Sequence, residues 1–169
     1  MPGSLGHLTR RFFDVLLARP LDAAEIAAVE GWIDDDQAEL FFAQPDPDQR
    51  HGYHAALVVL SAGEHDESVV RAALLHDVGK RHARLGVVGR SLMSVLIRLG
   101  APLPERGRRY RDHGESAARE LAQIGSEMLV VDFARHHHRE RPASIPQPTW
   151  NLLRLADEPP KTGDNLRAE

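Results

Sequence analysis

Cysteine is absent from the 169 residues. Disulfides and thiolate metal ligands are thereby excluded, so any metal must be held by histidine, aspartate or glutamate. Aromatic residues make up only 5%, and no run of valine, isoleucine and threonine alternates strictly, which leaves little from which to build strands. Lysine is scarce: Lys80 and Lys161 stand against a large excess of arginine. No stretch of about 18–20 uncharged apolar residues occurs, so no transmembrane helix is predicted. The N-terminal FFDVLL run, interrupted by Asp14, is too short for a signal peptide. The expected location is cytoplasmic. Positive charge is not in surplus either; a formal net charge of −4 argues against bulk nucleic-acid binding.

What is present is histidine, ten residues of it, in a chain that is 42% hydrophobic and 27% charged. Those proportions fit a single globular domain large enough to bury a core. The apolar spacing is helical throughout. Residues 22–33 place Ile26, Val29 and Ile33 on one stripe, with Asp22 as the predicted N-cap. A short helix over 36–42 follows, and the two prolines in QPDPD, 44–48, interrupt the pattern. Further helices are predicted over 49–61, from Ser68 to a stop at Gly79, over 92–99, over 115–123, after Ser126 as cap, and near 149–158. The expected fold class is all-α, a compact helical bundle.

Chemistry concentrates in AALLHDVGK, residues 72–80. His76 and Asp77 close an apolar helix, where both side chains can reach one ion beside the helix end. His51 and His54 sit three apart on the preceding helix, hence on one face. Asp157 lies near the end of LLRLAD, where a buried carboxylate is costly unless paired or metal-bound. A histidine, a His-Asp pair and a distant aspartate form a mixed nitrogen and oxygen donor set. Such a set suits Mn, Fe, Mg, Co or Ni.

The order His51 … His76-Asp77 … Asp157, with AALLHDVGK around the pair, resembles the HD-domain superfamily of metal-dependent phosphohydrolases. The resemblance implies a bundle of the HD-domain type over residues 46–160, preceded by an N-terminal helical extension over 1–45 and followed by a flexible tail over 161–169. It implies His51 as first ligand, with His54 the alternative, and His76, Asp77 and Asp157 as the rest of the site. RDHGESAARELAQ, 111–123, and the His136-His137-His138 run resemble the further segments of the two-metal branch, H…HD…H…HH…D. By that resemblance His113, His137 and His138 hold a second ion bridged to the first by Asp77. The register within the three histidines stays open by one. The glycine-tyrosine-proline signature of cyclic-di-GMP phosphodiesterases is missing, RERPASIPQPTW standing in its place.

The implied activity is hydrolysis of a phosphomonoester or phosphodiester, of a nucleotide or another small phosphorylated metabolite, with one or two divalent ions as cofactor. Asp77 would hold or bridge the ions and orient the hydroxide, and Lys80 would meet a phosphate oxygen as a point charge. Two alternatives remain from other classes: a silent nucleotide- or metal-binding signalling module, and a di-iron oxygenase of the HD type. Residues 81–111 carry eight arginines against Glu105 alone. That asymmetry has three readings: a lid whose arginines pair with acids of the bundle, attraction of an anionic substrate, or contact with a membrane surface.

Overall fold

The computed structural model describes residues 19–158. The predicted tail over 161–169 and residues 1–18 of the predicted extension lie outside the described residues. Among the described residues the elements are helical: α1 (Ala23–Trp32), α2 (Asp35–Phe42), α3 (Asp46–Ser61), α4 (Glu67–Leu75), a 3-10 turn (Val78–Ala83), α5 (Val87–Arg98), α6 (Glu105–Arg111), α7 (His113–Gln123), α8 (Met128–His136) and α9 (Gln147–Ala156). The all-α fold expected from the apolar spacing is what the chain adopts.

Local chemistry accounts for most boundaries. The Asp22 side chain accepts from the backbone N–H groups of Ala24 and Glu25, while the Glu25 carboxylate accepts from the Asp22 N–H, a reciprocal cap on α1. α3 starts at Asp46, three residues before the predicted start. Its prolines fall at Pro45, the N-cap, and Pro47, in the first turn, where a missing N–H costs nothing. α4 ends at Leu75 with His76 as C-cap. Gly79 therefore does not terminate it; the chain tightens into the 3-10 turn, and the left-handed residue that ends this turn is Arg84, with φ 48°. Ser126 does not cap α8 either, since Glu127 takes that position and the Ser126 hydroxyl accepts from Gln37 Nε2.

One buried cluster runs through the molecule. α4 packs between α3 and α8, α7 lies on α8 and on the 3-10 turn, and α9 closes over α3 and α4. Phe41, Val59, Leu75, Leu121, Phe133 and Leu153 are fully buried within it, each such side chain contributing about 1.5–3 kcal/mol relative to exposure. Leu21, Val29 and Ile33 belong to the same cluster, which joins α1 to the bundle.

Half of the arginines in the basic segment are paired with the chain's own acids. Arg81 pairs with Glu120, Arg109 with Glu105 and Arg111 with Asp112. Arg90 reaches across to Asp48 with both terminal nitrogens and fastens α5 to the first turn of α3. The outer face of α5 leaves Val88, Leu92, Val95 and Leu99 exposed. No helix among the described residues is long and apolar enough to cross a membrane.

Candidate metal centre

Two groups of potential ligands meet at the middle of the bundle: His51, His76, Asp77 and Asp157, and His113, His137 and His138. They come from six elements, and most sit at a helix end. His76 is the C-cap of α4, His137 the C-cap of α8, Asp157 the C-cap of α9, and His113 follows directly on the end of α6 at Asp112. Helix C-termini carry negative partial charge, so their convergence favours a cation.

These ends also provide the outer support. Nδ1 of His76 lies 2.8 Å from the Ala73 carbonyl, Nδ1 of His113 2.6 Å from that of Tyr110, and Nδ1 of His137 2.8 Å from that of Ala134. A carbonyl only accepts, so each Nδ1 donates to it and each ring turns its Nε2 inward. The accepting groups are last-turn carbonyls, which lack partners within their own helices.

The inward atoms crowd around the two carboxylates. Nε2 of His76 lies 3.2 Å from Asp157 Oδ1 and 3.4 Å from Asp77 Oδ2. Nε2 of His51 lies 3.3 Å from Asp157 Oδ1 and 3.6 Å from Asp77 Oδ2. The Nε2 atoms of His113 and His137 are 3.2 Å apart, and each also faces Asp77 Oδ1, at 3.1 and 3.5 Å. Asp77 Oδ1 is enclosed and receives no hydrogen bond. A buried carboxylate oxygen without a donor is costly unless a positive charge occupies the middle. The donor set therefore fits divalent metal ions, and the chemistry of its atoms, nitrogen and oxygen without sulfur, agrees with the ions expected from the composition.

The proton affinities carry the same message. Burial by itself would push the His76 imidazole down, but the Asp77 and Asp157 carboxylates overcome it and hold it up at about 10. Burial likewise disfavours the Asp77 carboxylate, yet Lys80 and His76 keep it well below the usual range. Asp157 is held down in the same way by His51 and His76. His137 goes the other way: burial lowers it to about 4, so it is neutral at pH 7.

Each sequence-predicted site residue has a definite place. His51 joins the first group, while His54 is not part of it. Of the three consecutive histidines, His137 and His138 stand with His113 and His136 does not. His138 lies against His137 with ring centroids 4.0 Å apart. Lys80 is buried and its ammonium is paired with Asp77 Oδ2. That pairing outweighs burial and raises its affinity for protons.

The sequence reading missed the glycines that bring these elements together. A Cβ at Gly52 would overlap the Leu74 carbonyl of α4, and one at Gly79 the His113 carbonyl of α7. At Gly114 a Cβ would come 2.6 Å from the Ala134 carbonyl of α8. Two of the three directly follow a site histidine and Gly79 follows Asp77 by two, a signal that was readable: the ligand-bearing backbones touch where a side chain is missing.

Comparison with curated proteins and with solved structures gives no match. The HD domain family matches residues 50–166, a span that contains the AALLHDVGK motif and every residue of both groups. With the motif, the helical fold and the paired donor groups in hand, the conclusion is plain: this chain belongs to the HD domain family.

Proposed function

We propose that this chain is a metal-dependent phosphohydrolase that cleaves a phosphomonoester or phosphodiester of a nucleotide or another small phosphorylated metabolite. The supporting observation is the Asp77 carboxylate, whose Oδ2 faces His51 and His76 while Oδ1 faces His113 and His137. In this reading His51, His76, Asp77 and Asp157 would hold one divalent ion, and His113, His137, His138 and Asp77 would hold a second. Ions such as Mn, Fe, Mg, Co or Ni, when bound, polarise a phosphoryl oxygen and lower the pKa of a coordinated water.

The chain's own residues set the geometry for that chemistry. Asp77 fixes the spacing of the two groups, and the carbonyls of Ala73, Tyr110 and Ala134 lock the rings that line it. Lys80 spends one N–H on Asp77 and has two left to meet a phosphoryl oxygen. In the overall hydrolysis a P–O bond forms to the oxygen of water, the ester P–O bond breaks, and the water's proton passes to the leaving oxygen.

The test is elemental analysis of the purified chain, followed by phosphate release from a panel of phosphorylated metabolites with Mn, Mg, Fe, Co and Ni added in turn. Bound metal with phosphate release supports the reading. The imidazole-rich second group also suits iron, so oxygen consumption is followed in parallel. Iron with oxygen uptake and no phosphate release would replace this reading with an oxygenase. Nucleotide binding without turnover of either kind would make the chain a signalling module.

A further inference from the structure

Beside the second group the surface dips into a concavity lined by Arg111, Arg135 and Arg139, by the acids Asp112 and Glu115, and by His137 and His138. It is small and partly open to solvent. A hollow of that kind touches at most one group of a ligand and does not enclose the whole. His137 and His138 form part of its wall, so a group held there adjoins whatever the second donor group holds.

The charges around this concavity are unequal in their commitments. Arg111 gives two nitrogens to Asp112 at 2.8 and 2.9 Å, and the two residues cancel. Arg135 is held only loosely, 3.5 Å from Glu115 and 3.7 Å from Asp132. Arg139 follows His138 directly and is exposed; its guanidinium makes no side-chain hydrogen bond or close ion pair among the described residues and acts on the Asp112 carboxyl only through space. A planar fork of donors with no hydrogen bond of its own, in a hollow where three arginines outnumber two acids, matches a phosphate or carboxylate in two-point contact.

We propose that Arg139, with Arg135 beside it, forms an anion subsite that selects substrates carrying a second anionic group next to the phosphoryl group being hydrolysed. Phosphoanhydrides and bisphosphorylated molecules are then preferred over simple monoesters. The inference rests on the phosphohydrolase reading for its substrate class, but the subsite itself is measurable without turnover. Arg139 is a specificity-determining residue in this account, and it takes no part in bond cleavage.

The experiment compares the purified full-length chain with Arg139→Ala, Arg139→Lys and, as a charge-matched control outside the concavity, Arg119→Ala. Calorimetry measures equilibrium binding of inorganic diphosphate and of inorganic phosphate. Wild type should bind diphosphate more tightly than phosphate. Arg139→Ala should weaken diphosphate binding by about 10- to 100-fold, Arg139→Lys should recover part of that, and Arg119→Ala should match wild type. In turnover assays the ratio of kcat/KM for diphosphate substrates to that for monoesters should fall at least about tenfold in Arg139→Ala, through KM rather than kcat. Diphosphate binding that is equal in wild type and Arg139→Ala, or equally weakened in Arg119→Ala, overturns the subsite while leaving hydrolysis standing. A wild-type chain that binds diphosphate through Arg139 but releases no phosphate overturns the phosphohydrolase reading and retains the subsite.

Discussion

The two donor groups share Asp77 and differ in nearly everything else. The first sets two imidazoles against two carboxylates, with His76 fully buried. The second is imidazole alone apart from Asp77, and it opens to solvent through His138. Their consequences diverge at a distance of one ring. His76 and His137 have centroids 5.0 Å apart, are equally buried, and hydrogen-bond identically to a carbonyl three residues back. Yet one is held up at about 10 and the other pushed down to about 4. Burial is common to both; the carboxylates around His76 make the difference. Burial alone therefore says little about the charge of a histidine, and the sign of its neighbours says most.

Removing the shared residue should break the comparison altogether. Asp77→Ala takes a carboxylate oxygen from each group at once, so elemental analysis should find neither ion, and phosphate release should fall by about a thousandfold. An ion content equal to wild type would show that the groups do not depend on the bridge.

Gly79→Ala should have the next largest effect, and an indirect one. The added methyl meets the His113 backbone, which cannot move without shifting the start of α7. Overpacking of this kind costs about 1–3 kcal/mol, readable as a lower midpoint in chemical denaturation. Because the displaced residue is His113, metal should be lost from the second group before the first.

The asymmetry can then be sharpened one ligand at a time. His76→Ala should weaken the first ion by more than the roughly 10- to 100-fold that loss of an outer partner costs. His138→Ala, on the exposed side, should leave that first ion in place and weaken the second. Stepwise chelator competition distinguishes the two, and equal losses in both variants would erase the distinction between the groups.

The mildest probe is pH. An ion entering the first group must displace the proton that His76 retains up to about pH 10, so its apparent affinity should climb about tenfold per unit between pH 6 and 8. His137, neutral above about pH 4, contributes no such slope to the second group over the same range. Chelator titrations at pH 6, 7 and 8 read both slopes. Parallel slopes would mean that the carboxylates do not hold a proton on His76.

Much of the molecule was legible in its sequence because the information is local. Helical spacing gave the all-α fold, Asp22 announced its cap, and AALLHDVGK marked the helix end that carries His76 and Asp77. Other features were hidden for definite reasons. The prolines of QPDPD read as a break because a proline's tolerance in a first turn depends on where the helix starts. α6 went unseen, seven residues dominated by arginine with too little apolar spacing to register. Gly79 looked like a terminator, whereas its use is to let a backbone pass close to His113.

By itself, then, the sequence determined the kinds of donor and the helices that bear them: no thiolate, many imidazoles, carboxylates placed where apolar runs end. Tertiary packing alone decided which histidines count, since His51 meets Asp157 across a separation of 106 residues. It also set which oxygen of Asp77 serves which group and which ring keeps a proton. The reason is range. Backbone periodicity and side-chain chemistry act over a few residues, whereas a carboxylate's two faces acquire different neighbours only when distant helices close around it.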